Sequence, residues 1–316
     1  MPEQQGKRIM LDPAAPLLGL RDGAGLWPAA MARARGIATS SQSKADKAGG
    51  RGGACDDRGY RRCRRGAHRG LGGVAVSDIE RHYADSDALC RAVREHSGGT
   101  AILSFSRGKD ALASWCKMRR FFDRIVPYYM HPIPELLSFE RESLDYYAEK
   151  MGTEILTVPH PNLIGRMLKN EIYQSPERCP LLEAAALPPM AHADVERWVR
   201  RKAGAPDAWI GIGTRSADSP DRLANIRKHG SLNPARRAFF PVFDWNIVDV
   251  EGALRAEGLA LPADYLLFDR TLDGIDDRFL EPLRLHHPTD YAKVIRWFPM
   301  AGLDRKRRLF AAGAKS

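Results

Sequence analysis

The chain reads as an α/β protein, with a parallel sheet flanked by helices, a C-terminal helical subdomain and a disordered N-terminal tail. Three observations lead there. From residue 77 onward, short apolar runs of strand length alternate with segments of helical apolar spacing. Two of those runs end in polar, glycine-containing turns rich in hydroxyl and cationic side chains. Finally, glycine and positive charge crowd into the first quarter of the chain, where apolar residues are scarce.

Residues 1–76 hold 14 Lys and Arg against 6 Asp and Glu, 14 of the 28 glycines, and only 10 Ile, Leu, Val or Phe. Such a segment cannot bury enough apolar surface to offset its ordering entropy. Most of the formal charge of +10 therefore sits in this tail, because residues 77–316 carry 35 basic against 33 acidic side chains. The run Arg58–Gly70 suits a flexible nucleic-acid-binding arm, with arginines on phosphates and Tyr60 stacking on a base. It also suits a targeting segment, which the aspartates at 12, 22, 46, 56 and 57 weaken. A solvated appendage translated from an upstream start codon is the third reading. The expected division is a tail at 1–76, a nucleotide-binding α/β domain at 77–260 and a mostly helical extension at 261–316.

Two classes are excluded at once. No run approaches ~18 consecutive apolar residues, so no membrane span is expected, and with no clear signal peptide the cytoplasm is the expected location. Five irregularly spaced cysteines give neither a disulfide scaffold nor a zinc or iron–sulfur framework. Cys55 and Cys63 lack histidine or cysteine partners at ligand spacing.

The elements follow in order. Residues 78–96 carry Ile79, Tyr83, Leu89 and Val93 at helical spacing and stop at Gly98-Gly99. Ala101–Phe105 is a buried strand, and Ala111, Trp115, Met118 and Phe122 mark the helix beyond the turn at 106–110. Ile125–Met130 is the second strand, residues 139–151 a helix, and Thr153–Val158 the third strand. Residues 162–204 read as helical, broken by prolines at 176, 180, 188 and 189. Ala208–Gly213 is the fourth strand and Arg237–Phe243 the fifth, with Ile247, Val250 and Leu254 on the helix that follows. Residues 262–300 read as helical.

The chemistry is expected where strands end. Ser104-Phe105-Ser106-Arg107-Gly108-Lys109-Asp110 leads from a strand through a tight turn into a helix, which presents free backbone N–H groups to an anion. Lys109 adds a point charge and Ser106 a hydroxyl, while Asp110 either holds Mg²⁺ or orients the loop. The spacing is not that of a Walker A loop. The fourth strand ends in Gly211-Ile212-Gly213-Thr214-Arg215-Ser216-Ala217-Asp218-Ser219-Pro220-Asp221-Arg222, where arginine forks suit phosphate or sulfate oxygens. The competing reading is that Arg215 and Arg222 simply pair with carboxylates. Ligands in open α/β sheets bind at the carboxyl ends of strands, so the two loops can share one crevice.

Three segments together resemble a family. Residues 104–111, Ser-Phe-Ser-Arg-Gly-Lys-Asp-Ala, resemble the PP-loop Ser-x-Gly-Gly-Lys-Asp-Ser of N-type ATP pyrophosphatases. Residues 213–222 resemble the Gly-x-Arg-x-x-Glu-Ser motif of the phosphoadenosine phosphosulfate (PAPS) reductase branch, and 240–250 resemble its Tyr-Pro-Leu-x-Asp-Trp-Thr-x-x-Asp-Val segment. Order and rough spacing agree over about residues 100–260, closest to the PAPS-reductase-like proteins of phages and mobile elements. The resemblance implies a Rossmann-like, adenine nucleotide alpha-hydrolase-like fold that binds ATP or PAPS with Mg²⁺ and cleaves between the α- and β-phosphates to adenylate an acceptor, in sulfur transfer or nucleic-acid modification. It implies nucleotide contacts from Ser104, Ser106, Arg107, Gly108, Lys109, Asp110, Gly213, Arg215, Asp218, Ser219 and Arg222, and His131, which follows the second strand, is expected to line the same crevice. Lys109, Asp110 and Arg215 would be catalytic, with Asp110 on the metal.

The chain departs from that pattern in three places. Arg107 replaces the first glycine of the pair, and it can serve the loop if its backbone stays right-handed, its guanidinium then adding a phosphate contact. Ala111 replaces the final serine and removes a hydroxyl. No cysteine follows Cys179, so the nucleophile of the Glu-Cys-Gly-x-His reductases is missing, and no iron–sulfur cysteines are evident. Two rival readings follow: a sulfonucleotide reductase using an unusual thiol such as Cys179, and a non-catalytic nucleotide-sensing or DNA-binding regulator. Cys90, Cys116 and Trp245 are expected in the core, His286-His287 in a turn before Pro288, and Arg305–Arg308 on a basic surface.

Overall fold

The computed structural model describes residues 80–162, 165, 173–186, 190–272, 274–303 and 310. The expectations for 1–76, for Pro188 and Pro189 and for Arg305–Arg308 lie outside the described residues. The described residues fall in one compact unit, Gly70–Ser316. No described helix is long and apolar enough to cross a membrane.

The chain runs α1 (Ser86–Ser97), β1 (Thr100–Ser104), α2 (Lys109–Met118), β2 (Arg124–His131), α3 (Ser138–Met151) and β3 (Leu156–Pro159). It continues through α4 (Cys179–Ala185), α5 (His192–Lys202), β4 (Trp209–Ile212), a 3-10 turn at Ser216–Asp218 and α6 (Pro220–His229). Then come β5 (Leu232–Asn233), β6 (Ala238–Phe239), α7 (Ile247–Ala256), α8 (Asp264–Phe268), α9 (Asp277–His286) and α10 (Pro288–Trp297). The six strands form one sheet in the order β3-β2-β1-β4-β6-β5. All neighbours pair in parallel except β5 with β6.

Both faces of this sheet are covered, which is why its strands read as apolar runs without alternation. Ala101 and Leu103 of β1 face a cluster with Leu89 and Val93 of α1, Leu112 and Trp115 of α2, Tyr147 of α3, and Val250 and Leu254 of α7. Ile102 faces the other way, onto Val126, Val158 and Ile210 and onto Val195, Val199 and Ala203 of α5 and the turn after it. Each fully buried aliphatic side chain contributes about 1.5–3 kcal/mol.

Element ends differ from the sequence reading for local reasons. The first helix begins at Ser86 rather than 78, because Asp85 caps it, accepting from the Ala88 N–H at 2.7 Å. The third strand begins late because Gly152, in the left-handed region, and Thr153 close the end of α3, the Thr153 N–H donating to the Ala148 carbonyl. The fifth expected strand shrinks to Ala238–Phe239, since Pro241 and the turn after it leave the sheet. Its antiparallel neighbour β5, two residues long, is too short to carry any periodic signal. At Gly230, φ is +84°, and a Cβ would stand 2.0 Å from the Arg81 carbonyl, which accepts from the Ser231 N–H. Only glycine allows the incoming chain to lie so close to the sheet edge.

The helices after 261 are held to the sheet unit by buried charge. Asp290 of α10 is 1% exposed and accepts from the backbone N–H of Ser138, the first residue of α3, at 2.9 and 3.0 Å. The Ser138 hydroxyl donates to it at 2.5 Å and Lys293 pairs with it at 2.8 Å. A carboxylate at a helix N-terminus satisfies orphan donors and complements the helix dipole. Asp290→Ala should therefore lower unfolding stability by roughly 2–3 kcal/mol, with Asp290→Asn less damaging, as read by urea denaturation.

Candidate nucleotide site

The strand order places a switch point between β1 and β4. From β1 the chain crosses to β2 and then β3 on one side, whereas β4 lies on the other side of β1. A crevice at the carboxyl ends of two such strands is the general ligand position in open α/β sheets. Both motif-bearing loops leave from there: residues 105–108 follow β1 and residues 213–219 follow β4.

The first loop is a tight turn into α2. The Phe105 N–H still follows the ladder, donating to the Tyr128 carbonyl. Ser106 is exposed, and its hydroxyl accepts weakly from the Gly108 N–H at 3.4 Å. Gly108 takes the N-cap position with an extended backbone and no side-chain cap, so the first-turn N–H groups of α2 are left for other partners. The Tyr265 hydroxyl takes one of them, accepting from the Lys109 N–H at 3.2 Å.

Arg107 corrects the sequence expectation twice. Its φ is +64°, so the backbone is left-handed, the conformation that a glycine at this position of the resembled motif adopts without cost. Its guanidinium contributes no phosphate contact, because it is fully buried on the inner side. There it forms a two-pronged pair with Asp264 at 2.8 and 2.9 Å and donates to Ser143 at 2.9 Å and Tyr129 at 3.3 Å. Glu140 stands 3.6 Å away, Tyr129 donates its phenol proton to Glu140, and the Leu137 N–H donates to the same carboxylate at 2.9 Å. Burial lifts the Glu140 carboxyl above its ordinary value, against the pull of Arg107. Asp264 also accepts from the Leu272 N–H at 2.9 Å. Burial lifts the Tyr129 and Tyr265 phenols as well.

The second loop meets the first at backbone distance. A Cβ on Gly213 would stand 2.7–2.9 Å from the Asp110 carbonyl group and the Ala111 nitrogen, so this glycine is required by close approach. Across that contact runs a chain of alternating charge. Lys109 pairs with Asp110 at 2.9 Å, Asp110 with Arg215 at 2.7 Å, Arg215 with Asp218 at 2.5 Å, and Asp218 with Arg222. Arg215 is only 4% exposed and also donates to the Trp245 carbonyl at 3.5 Å. The third motif segment backs this loop, since the Phe243 carbonyl accepts from both the N–H and the hydroxyl of Ser216. Asp244 of that segment accepts from the N–H and hydroxyl of Ser86 at the start of α1.

The structure thus brings Lys109, Asp110, Gly213, Arg215, Asp218 and Arg222 together, with the arginines in carboxylate pairs. Ser219 lies beside them, but its hydroxyl caps α6 by accepting from the Arg222 N–H at 3.2 Å. Ser104 ends β1 and hydrogen-bonds the Tyr128 phenol. His131 ends β2, nine-tenths buried, with Nδ1 2.6 Å from the Ile133 carbonyl, and burial lowers its pKa. Asp110 does not fit as a magnesium ligand in this arrangement, because each of its oxygens already faces a cation. Among the described residues no group of three or more His, Cys, Asp or Glu is arranged to hold a metal. Cys90 and Cys116 are buried, their thiols pushed up to about 12 by that burial. Cys179 is half-buried on α4, its thiol donating to the Ser175 carbonyl at 3.4 Å. Sequence reasoning missed Tyr129, Glu140, Asp264 and Tyr265, since nothing local in the sequence marks partners that lie 22 and 33 residues away in the first two cases and more than 150 in the last two.

No protein-family model matches the chain. No curated protein matches it either. Among solved structures, an NH3-dependent NAD synthetase from Campylobacter jejuni, in complex with the nitrate ion, is 12% identical at a TM-score of 0.36, over 69% of this chain and 93% of that one. The U34-tRNA thiolase NcsA from Methanococcus maripaludis, with its [4Fe-4S] cluster, is 14% identical at a TM-score of 0.35, over 67% of this chain and 78% of that one. Likenesses of this size carry no assignment of activity.

Removing the Arg107 guanidinium strands two buried carboxylates. Arg107→Ala should cost about 3–5 kcal/mol in chemical denaturation, and Asp264→Ala a similar amount, each from uncompensated buried charge. The double substitution should cost clearly less than the sum of the two. His131 gives a pH signature. Its folded pKa lies below the ordinary value of 6.5, so below that pH the unfolded chain takes up a proton that the folded chain refuses. The stability linked to it is present above pH 6.5 and is lost as pH falls through 6.5 toward the folded value. His131→Gln should flatten that part of a stability–pH curve.

Proposed function

We propose that this chain binds an adenine nucleotide at the β1–β4 switch point and cleaves ATP between its α- and β-phosphates, passing the adenylyl group to an acceptor. One observation carries the reading: the three segments that resemble the PAPS reductase and ATP pyrophosphatase pattern meet in space, at the carboxyl edge of adjacent strands. The Gly213 approach to Asp110, the Asp110–Arg215 pair and the Phe243 carbonyl on Ser216 join all three.

In this reading each group has a task set by its geometry. The first-turn N–H groups of α2 and the Ser106 hydroxyl receive phosphate oxygens. Lys109, a quarter exposed, brings the movable cation to the leaving pyrophosphate. Arg222, half exposed, is the second cation free to turn toward an anion, by exchanging one oxygen of Asp218 for one of the ligand. Arg215 holds the two loops in register rather than touching substrate, since both sides of its guanidinium already face carboxylates. Catalysis is then mainly positioning and electrostatic stabilisation of the displaced pyrophosphate.

Calorimetry of the full chain with Mg-ATP and with PAPS, beside Lys109→Ala, tests this. Selective ATP binding, lost in Lys109→Ala without loss of thermal stability, together with pyrophosphate release, is the expected result. Selective PAPS binding with thiol-dependent sulfite release would replace it by sulfonucleotide reduction. ATP binding with no pyrophosphate would make the chain a nucleotide sensor.

A further inference from the structure

We infer that α6 and the β5–β6 hairpin form a docking strip for single-stranded nucleic acid, which leads from the candidate nucleotide site to a base-sized groove at the edge of the sheet. The inference deepens the proposed function by naming the class of acceptor. It depends on that function only for the chemistry, not for the binding.

Three observations converge. The first is a groove of about 340 Å³, lined by Arg81, Asn225, His229, Asn233, Pro234 and Phe240 among others. Its size is that of a small-molecule site. Its chemistry is that of a nucleotide: two amides to read a base edge, an aromatic face for stacking and a guanidinium for phosphate. The second is continuity. Arg222, Asn225 and His229 lie at i, i+3 and i+7 of α6, one stripe of the helix on the order of 10 Å long. Its first member belongs to the Lys109–Arg222 charge chain and its last two line the groove, so an extended ligand can touch both places at once.

The third is charge. Residues 221–237 hold five Lys and Arg against the single carboxylate of Asp221, while the rest of 77–316 holds 30 against 32. The positive excess of residues 77–316 therefore lies entirely in this segment. Arg222, Arg236 and Arg237 pair with Asp218, Glu196 and Asp207. Arg81, at the groove, and Lys228, beside the stripe, are exposed with no such partner among the described residues. Unpaired exposed cations flanking a polar stripe are what a phosphate backbone needs.

The test is fluorescence anisotropy of the full chain with a labelled 12-nucleotide RNA of mixed sequence, its DNA counterpart and a duplex of the same sequence, over a salt series. Arg81→Glu with Lys228→Glu should weaken single-strand binding by about tenfold or more. It should also lower the log–log salt slope by about 1.4, because two phosphates are no longer neutralised. Lys150→Glu with Arg124→Glu, an equal charge change at exposed positions away from the strip, should do neither. Asn225→Ala with His229→Ala should weaken binding to the base-bearing strand and leave binding to an abasic one unchanged. Preference for RNA over DNA would assign the ligand as RNA, and equal binding would leave the shared phosphate-and-base chemistry standing. Unchanged affinity and slope in the strip variants, or equal affinity for the duplex, would overturn the inference. Mg-ATP titrated in the same samples separates the two readings: oligonucleotide binding without ATP binding supports the strip and removes the nucleotide assignment alone.

Discussion

The buried guanidinium of Arg107 is the interaction on which the rest of this structure depends. A non-glycine residue in the left-handed region costs about 1–2 kcal/mol, so a turn that places arginine there needs a compensating reason. The reason is visible on the inner side of the turn. Once the backbone of 107 is left-handed, its side chain points away from the crevice and reaches Asp264, Ser143, Tyr129 and Glu140 at once. One residue thereby fastens the β1–α2 loop to β2, to α3 and to the first helix after 261. Asp264 and its neighbour Tyr265 grip alternate residues of the loop, 107 through a salt bridge and 109 through its N–H. The helical region beyond 261 is thus a wall of the candidate site and not an appendage to it.

A second constraint works outside that wall. Lys109, Asp110, Arg215, Asp218 and Arg222 alternate in sign, so each interior member is neutralised on two sides. Desolvating Arg215 is tolerable only because Asp110 and Asp218 hold both edges of its guanidinium. Lys109 and Arg222 stand at the ends of the chain, each with a single carboxylate and each exposed in part. Anion binding is easiest at such ends, where a cation gains a partner without stranding one. The cations able to take a new partner are therefore the two outer ones, although Arg215 is the arginine nearest the centre of the motif.

Much of this is legible in the residues themselves, and the rest is hidden for physical reasons. Ile102 and its neighbours announce β1 because a strand covered on both faces must be apolar throughout. The turn at 106–110 and the polar run after Ile212 are recognisable because a strand ending in hydroxyls and cations has few purposes other than anion contact. The role of Arg215 is not legible. An arginine that grips a phosphate and one that grips two carboxylates look alike in a sequence, and only Asp110 and Asp218 beside it decide between them. Arg107 misleads because arginine by itself prefers a right-handed backbone, whereas the shape of the loop is set by contacts across 157 residues. Asp85 as a cap and β5 as an edge strand escape notice because each is decided by one or two residues.

The two departures from the PP-loop pattern can be understood together. A motif with two glycines and a closing serine holds its shape and its hydroxyl locally. Here the shape at 107 is held from outside, by Asp264, and a hydroxyl reaches the loop from outside as well, from Tyr265. Position 111, where the serine would stand, is 3% exposed and belongs to the apolar cluster, and its backbone nitrogen lies close to Gly213. A serine hydroxyl there would have to find a partner inside an apolar cluster. Alanine fits that place without one. The loop draws its support from α8, and its shape is therefore tied to the docking of a helix that begins more than 150 residues later in the chain.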